Sequence, residues 1–176
     1  MLQRLVLTAA LLLAAQPPLC ADDAEDAAAK TLKRLGASFT TSDAGGARTV
    51  VGVDLAGVAV VDADLKNVAA LPALRSLDIS VCIAVTDAGM KHLAGLKHLE
   101  TLSVAYTGVT DAGVRRLTGF TELRTLSLAG DRVTDEGLKA LTGMTKLKSL
   151  VLTGTQATDQ GVAELQKTLP GCKIDR

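Results

Sequence analysis

Four carboxylates recur with one fixed neighbour: Thr86-Asp87, Thr110-Asp111, Thr134-Asp135 and Thr158-Asp159, spaced by 24 residues. Two chemistries could use such a column. Stacked carboxylates could hold cations, or each Thr-Asp pair could finish the start of a helix. Calcium loops gather several oxygens within one loop, whereas this column offers one Asp per interval. A Thr just before an apolar-periodic run accepts a hydrogen bond from a first-turn N–H. The Asp after it meets the positive end of the helix dipole. Asp62, Asp87, Asp111 and Asp135 are also followed four positions later by Lys66, Lys91, Arg115 and Lys139. On a helix that order is worth about 0.2–0.5 kcal/mol per pair. Capping and pairing explain both columns, so these Thr and Asp residues are read as structural and no metal is expected.

Nucleophilic chemistry finds less support. His92 and His98 are the two histidines, and neither recurs with the period. A nucleophile needs a base within hydrogen-bond reach, and the register brings no Ser or Cys beside either ring. No catalytic residue, no cofactor and no enzymatic activity are expected. Basic and acidic residues balance at 19 each. A nucleic-acid binder usually carries a basic excess or stripe, and a Lys beside an Asp projects little field beyond a Debye length of about 8–10 Å. No nucleic-acid partner is expected.

The elements that carry these residues follow from the same period. In the interval opened by Thr110, Val114 and Leu117 share a helix face, and a turn follows at Gly119-Phe120. Leu126 and Leu128 then alternate with small polar residues, the period of a half-buried strand. Helix positions Met90/Leu93, Val114/Leu117, Leu138/Leu141 and Val162/Leu165 recur as columns. So do strand positions Leu77/Ile79, Leu102/Val104, Leu126/Leu128 and Leu150/Leu152. Residues 60–74 form a degenerate earlier copy, and Val53-Asp54-Leu55 supplies a first strand. Repetition at this spacing specifies a solenoid, each unit burying its apolar face against its neighbours. Aromatic content of 2%, with no Trp, suits thin layers of Leu, Val, Ile and Ala.

The pattern Leu99-x-x-Leu102-x-Val104-x-x-Thr107-x-Val109, repeated around Asp131 and Thr155, resembles the leucine-rich repeat family. The copy running from Leu74 through Cys82 to Asp87 looks like the cysteine-containing, ribonuclease-inhibitor-like subtype. The resemblance spans roughly residues 50–174. It implies an α/β solenoid with about five parallel strands on the concave face and helices on the convex face, whose strand face binds other proteins. The F-box that accompanies this subtype in ubiquitin-ligase adaptors is absent from the sequence, so that role is not carried over.

Residues 1–21 read as a signal peptide. Arg4 precedes an 11-residue apolar run from Leu5 to Ala15, then Pro17-Pro18 and the small Ala21. Such a run is too short to cross a bilayer stably. The residues before Cys20 do not resemble a lipobox, so a free secreted or periplasmic protein of bacterial style is expected, with no membrane span after processing. Residues 22–49 read as an N-terminal helix ending at Gly36 and a hairpin from Phe39-Thr41 to Thr49-Val51. Residues 50–176 form the repeat domain with a C-terminal cap at Leu169 to Ile174. Cys82 and Cys172 lie more than three intervals apart. At about 4.8 Å per strand their separation of about 15 Å exceeds the roughly 7 Å limit for a disulfide. Both are expected as buried free thiols.

What remains is the outward strand face. Its columns hold Gly52, Ser76, Thr101, Thr125 and Ser149, then Asp54, Asp78, Ser103, Ser127 and Val151, all small. Tyr106 stands alone at a strand exit where other units hold Gly57, Val81, Gly130 and Gly154. Asp54, Asp78, Ser103, Ser127 and Tyr106 are therefore the candidate binding residues for an unidentified protein partner, with a monomer expected. The alternatives are a self-associating structural component of the envelope and a metal-stabilised repeat protein.

Overall fold

Alternating strands and short helices wind into one stack whose strands all join a single sheet. The structure is a computed structural model that describes residues 21–43 and 49–176. The expected leader, except Ala21, and the tip of the hairpin lie outside the described residues. The elements are α1 (Ala21–Leu35), β1 (Ser38–Ser42), β2 (Thr49–Asp54), α2 (Leu65–Ala69), β3 (Ser76–Asp78), α3 (Asp87–Leu93) and β4 (Thr101–Ser103). They continue through α4 (Asp111–Val114), β5 (Thr125–Ser127), α5 (Asp135–Leu141), β6 (Ser149–Val151), α6 (Asp159–Thr168) and β7 (Lys173–Asp175).

Among the described residues the sheet has seven strands in chain order. β1 and β2 form an antiparallel hairpin, and every later pairing is parallel. Strand β2 therefore serves twice, as hairpin partner and as first strand of the repeats. The parallel set numbers six because β7, in the C-terminal cap, continues the sheet.

Register is unbroken from layer to layer. Val53, Leu77, Leu102, Leu126, Leu150 and Ile174 align as one inward column. Leu55, Ile79, Val104, Leu128 and Leu152 make the next, each fully buried. A strand slip by one residue would turn every one of these side chains to water, so apolar burial fixes the pairing. Helix residues Met90, Leu93, Val114, Leu117 and Leu141 close the core from the other side with no exposed surface. Phe120 fills, in its own layer, the site that Leu96 and Met144 take in the layers around it, and it is 1% exposed. Ala28 and Leu32 on α1 are buried in the same cluster, so α1 covers the amino-terminal layer.

The helical halves are short. Helix α4 has four residues before the chain tightens into a 3-10 turn over Arg115–Gly119. Helices this short are unstable alone, and tertiary contacts at their starts must hold them.

Candidate functional site

The strand register assembles the candidate face. Asp54, Asp78, Ser103, Ser127 and Val151 are paired rung to rung, beside Gly52, Ser76, Thr101, Thr125 and Ser149. Neighbouring rungs lie about 4.8 Å apart, which puts two carboxylates side by side at the amino-terminal end. Each Asp shapes its own turn: Oδ1 of Asp54 accepts from the Ala56 N–H at 2.9 Å, and Oδ1 of Asp78 from the Ser80 N–H at 2.8 Å. The Ser80 hydroxyl lies 2.5 Å from Oδ1 of Asp78 and 2.6 Å from the Ser103 hydroxyl, linking two candidate residues. Among the described residues no side chain reaches Oδ2 of either Asp, and no cation pairs with them. The two carboxylates border an open hollow of about 310 Å³ also lined by Ser38 and Thr40 of the hairpin. Ser127 is half-buried and lies two rungs beyond Asp78.

At the strand exits the backbone takes a left-handed turn in every layer. The φ values are 71° at Gly57, 62° at Val81, 57° at Tyr106, 71° at Gly130 and 75° at Gly154. Glycine adopts that region freely, and a β-branched residue there is a genuine outlier. Tyr106 is 56% exposed, and its ring covers the site a Cβ on Gly130 would occupy. Beneath it lies Asp131, 1% exposed. Its Oδ1 accepts from the Thr107 N–H at 2.8 Å and the Thr107 hydroxyl at 3.2 Å, while Oδ2 has no partner. Burial pushes this carboxyl up to about 7, against the pull of the Thr107 donors.

Cys82 occupies the same turn column two layers before Asp131 and donates to the Leu55 carbonyl at 3.2 Å. Burial raises the Cys82 and Cys172 thiols, which suits inert side chains. His92 is held below its ordinary value by loss of hydration and by Lys91 and Lys66.

The helix starts tell a different story from the strand face. Thr86, Thr110 and Thr134 accept from the N–H two residues on, and Thr158 accepts from Gly161. Each Thr also donates outward. Oδ1 of Asp62, Asp87, Asp111 and Asp135 accepts the N–H, and Oδ2 the hydroxyl, of the Thr in the following unit at 2.7–2.8 Å. A glycine completes the joint. A Cβ on Gly89, Gly113, Gly137 or Gly161 would strike the Asp of the preceding unit. Thr, Asp and Gly thus lock each helix to the one before it.

This corrects the expected i,i+4 pairs. Both carboxylate oxygens are already engaged across the repeat boundary, and Arg115 falls in the 3-10 turn, off the helical register. Lys139 pairs instead with Glu136 at 2.5 Å. Asp159 pairs with Arg176. Hydrogen bonds from Thr158 hold Asp135 below the ordinary carboxylate range. Among the described residues no group of three or more His, Cys, Asp or Glu is placed to hold a metal.

Residues 95–117 match the family model described as Leucine Rich repeat. Among solved structures, internalin C2 of Listeria monocytogenes is 27% identical at a TM-score of 0.52, covering 62% of this chain and 44% of its own. The fold is a leucine-rich repeat solenoid. The leucine-rich repeat ectodomain of the receptor kinase SOBIR1 from Arabidopsis thaliana aligns over 88% of this chain and 91% of its own, at a TM-score of 0.51 and 12% identity. That likeness speaks to fold alone. The chain spans less than half the length of the internalin it matches. No curated protein matches it.

Two features of the solenoid escape local sequence reasoning. The Asp-to-Thr joint spans 23 or 24 residues, so only the stacking reveals it. Ile83, 81% exposed, stands out because the Cys82 turn holds one more residue than the turns after it.

Proposed function

We propose that this protein is an exported, non-catalytic module that binds another protein through its strand face. The observation that carries the reading is the register-paired Asp54 and Asp78. Each leaves one carboxylate oxygen open on a rigid surface of small side chains, with Tyr106 nearby. A sheet fixed by five parallel pairings loses little freedom on binding, which favours shape-matched contact. The setting is secreted or periplasmic, supported by the charge and apolar pattern of residues 1–21. Among the described residues no helix is long and apolar enough to cross a membrane.

The test is capture from the envelope fraction of the exporting cell, followed by Asp54→Lys, Asp78→Lys and Tyr106→Ala in the folded protein. The captured partner is expected to be lost from the combined variant. Undiminished capture would refute the assignment to this face. A second reading, self-association, draws on β7, which among the described residues pairs with β6 alone in the sheet. Open edges can add strands from another copy. Sedimentation separates the two readings, since a monomer at high concentration removes the second.

A further inference from the structure

Val81, Ile83 and Tyr106 are 53%, 81% and 56% exposed, and Val61 is the one further large apolar side chain so exposed among the described residues. The three belong to one corner. The Val81 N–H donates to the Ala105 carbonyl, which puts Val81 and Tyr106 on successive rungs of the strand-exit column. Ile83 follows two residues after Val81 in the longer turn.

Two of these residues are held at a cost. Val81 and Tyr106 have φ of 62° and 57° where the same column elsewhere has glycine. Strain of this kind persists where the surroundings over-determine it and clusters at sites that do something. Gly130 leaves room for the Tyr106 ring, which therefore lies on the surface along the solenoid. Exposed apolar side chains grouped this way mark contact sites, and aromatic anchors dominate such contacts.

The corner adjoins charge of one sign. Asp78 lies three residues before Val81, and the turn at Ser80 and Val81 keeps them within about 10 Å, the reach of three extended residues. Asp54 is its neighbour on the next rung. Like charges on adjacent rungs repel, and one cationic group between them would relieve both open oxygens.

We infer that this corner and the acidic pair form one two-part docking surface for an extended segment of a partner protein. That segment carries a large apolar side chain two to four residues from a Lys or Arg. The apolar residue packs on Val81, Ile83 and Tyr106, and the cation bridges Asp54 and Asp78. This deepens the protein-binding reading and rests on it.

The test is an array of synthetic ten-residue peptides on the purified chain. Each peptide holds one Phe or Leu, with Lys, Arg, Glu or Ala placed one to six positions away. Binders with a basic residue at two to four positions are expected. Fluorescence anisotropy on the best binder should show at least a tenfold loss of affinity in Tyr106→Gly, Ile83→Ser and Asp78→Asn. Tyr106→Gly and Val81→Gly should meanwhile melt at a higher temperature than the parent, because glycine relieves the turn. A residue serving only the fold would behave in the opposite way. Binding that survives Tyr106→Gly and Ile83→Ser but is lost in Asp54→Lys would overturn the apolar half while leaving protein binding in place. Preference for acidic peptides, or an array with no binder, would overturn the whole surface, and envelope capture judges the wider reading separately.

Discussion

At the helix starts, four successive units place Thr, Asp and Gly in the same spatial relation. At the strand exits, five units share one backbone conformation but divide between three glycines and the pair Val81 and Tyr106. Both regions are periodic, and both lie at corners of the coil. In the first, every member satisfies its neighbour, so a change in one unit disturbs two. In the second, two members depart from the residue that suits the backbone and turn large side chains to solvent. Uniformity in a stack marks what holds it together. Departure that costs conformational energy marks what the stack presents.

The sharpest way to break this comparison is to enlarge a glycine at the joint. An exposed helical Gly→Ala change ordinarily stabilises by up to about 1 kcal/mol. Gly137→Ala should instead destabilise by about 2–4 kcal/mol in urea unfolding. The new methyl meets the Asp111 carboxylate and Val133, and displaces an acceptor of two charge-assisted bonds. A gain in stability would mean that the joint is incidental.

Asp131 probes the boundary between the two regions, because it holds the turn that carries Tyr106. Loss of hydration lifts its carboxyl from 3.8 to about 7, with Asp87 adding repulsion. The folded state thus keeps a proton that the unfolded chain releases near pH 4. Stability from this group is complete below about pH 4, falls as pH rises, and is gone above about pH 7. The expected loss between pH 4 and 8 is roughly 2–4 kcal/mol. Asp131→Asn should flatten that part of the profile, and equal slopes in the two proteins would remove Asp131 as the cause.

The smallest effect concerns the basic column. Lys91→Ala and Arg115→Ala should each change stability by less than about 0.3 kcal/mol, since the neighbouring carboxylates are bound elsewhere. A loss near 1 kcal/mol would restore the i,i+4 pairing in solution.

Much of this was legible in the chain. Leucines at a fixed interval identify the solenoid, and the alternation around Leu102, Leu126 and Leu150 gives the strand register directly. Thr before an apolar run announces a helix start because capping is local. The partner of each Asp was not legible, because a nearby Lys offers a competing local explanation and the true donor sits one unit away. The burial of Asp131 was hidden for a related reason. Its position aligns with Thr107 and Thr155, and alignment does not say whether a carboxylate in that slot meets water. The strand-exit column was visible as Gly57, Gly130 and Gly154 around the lone Tyr106, while its left-handed backbone came with the structure. That Val81 and Tyr106 share it follows from register, and the prominence of Ile83 from one extra residue.

The joint between helices also has a direction. Every carboxylate reaches toward the carboxyl terminus, and every hydroxyl answers from the later unit. Along the chain each acceptor therefore precedes the donor that answers it, and every seam is completed by the unit that comes later.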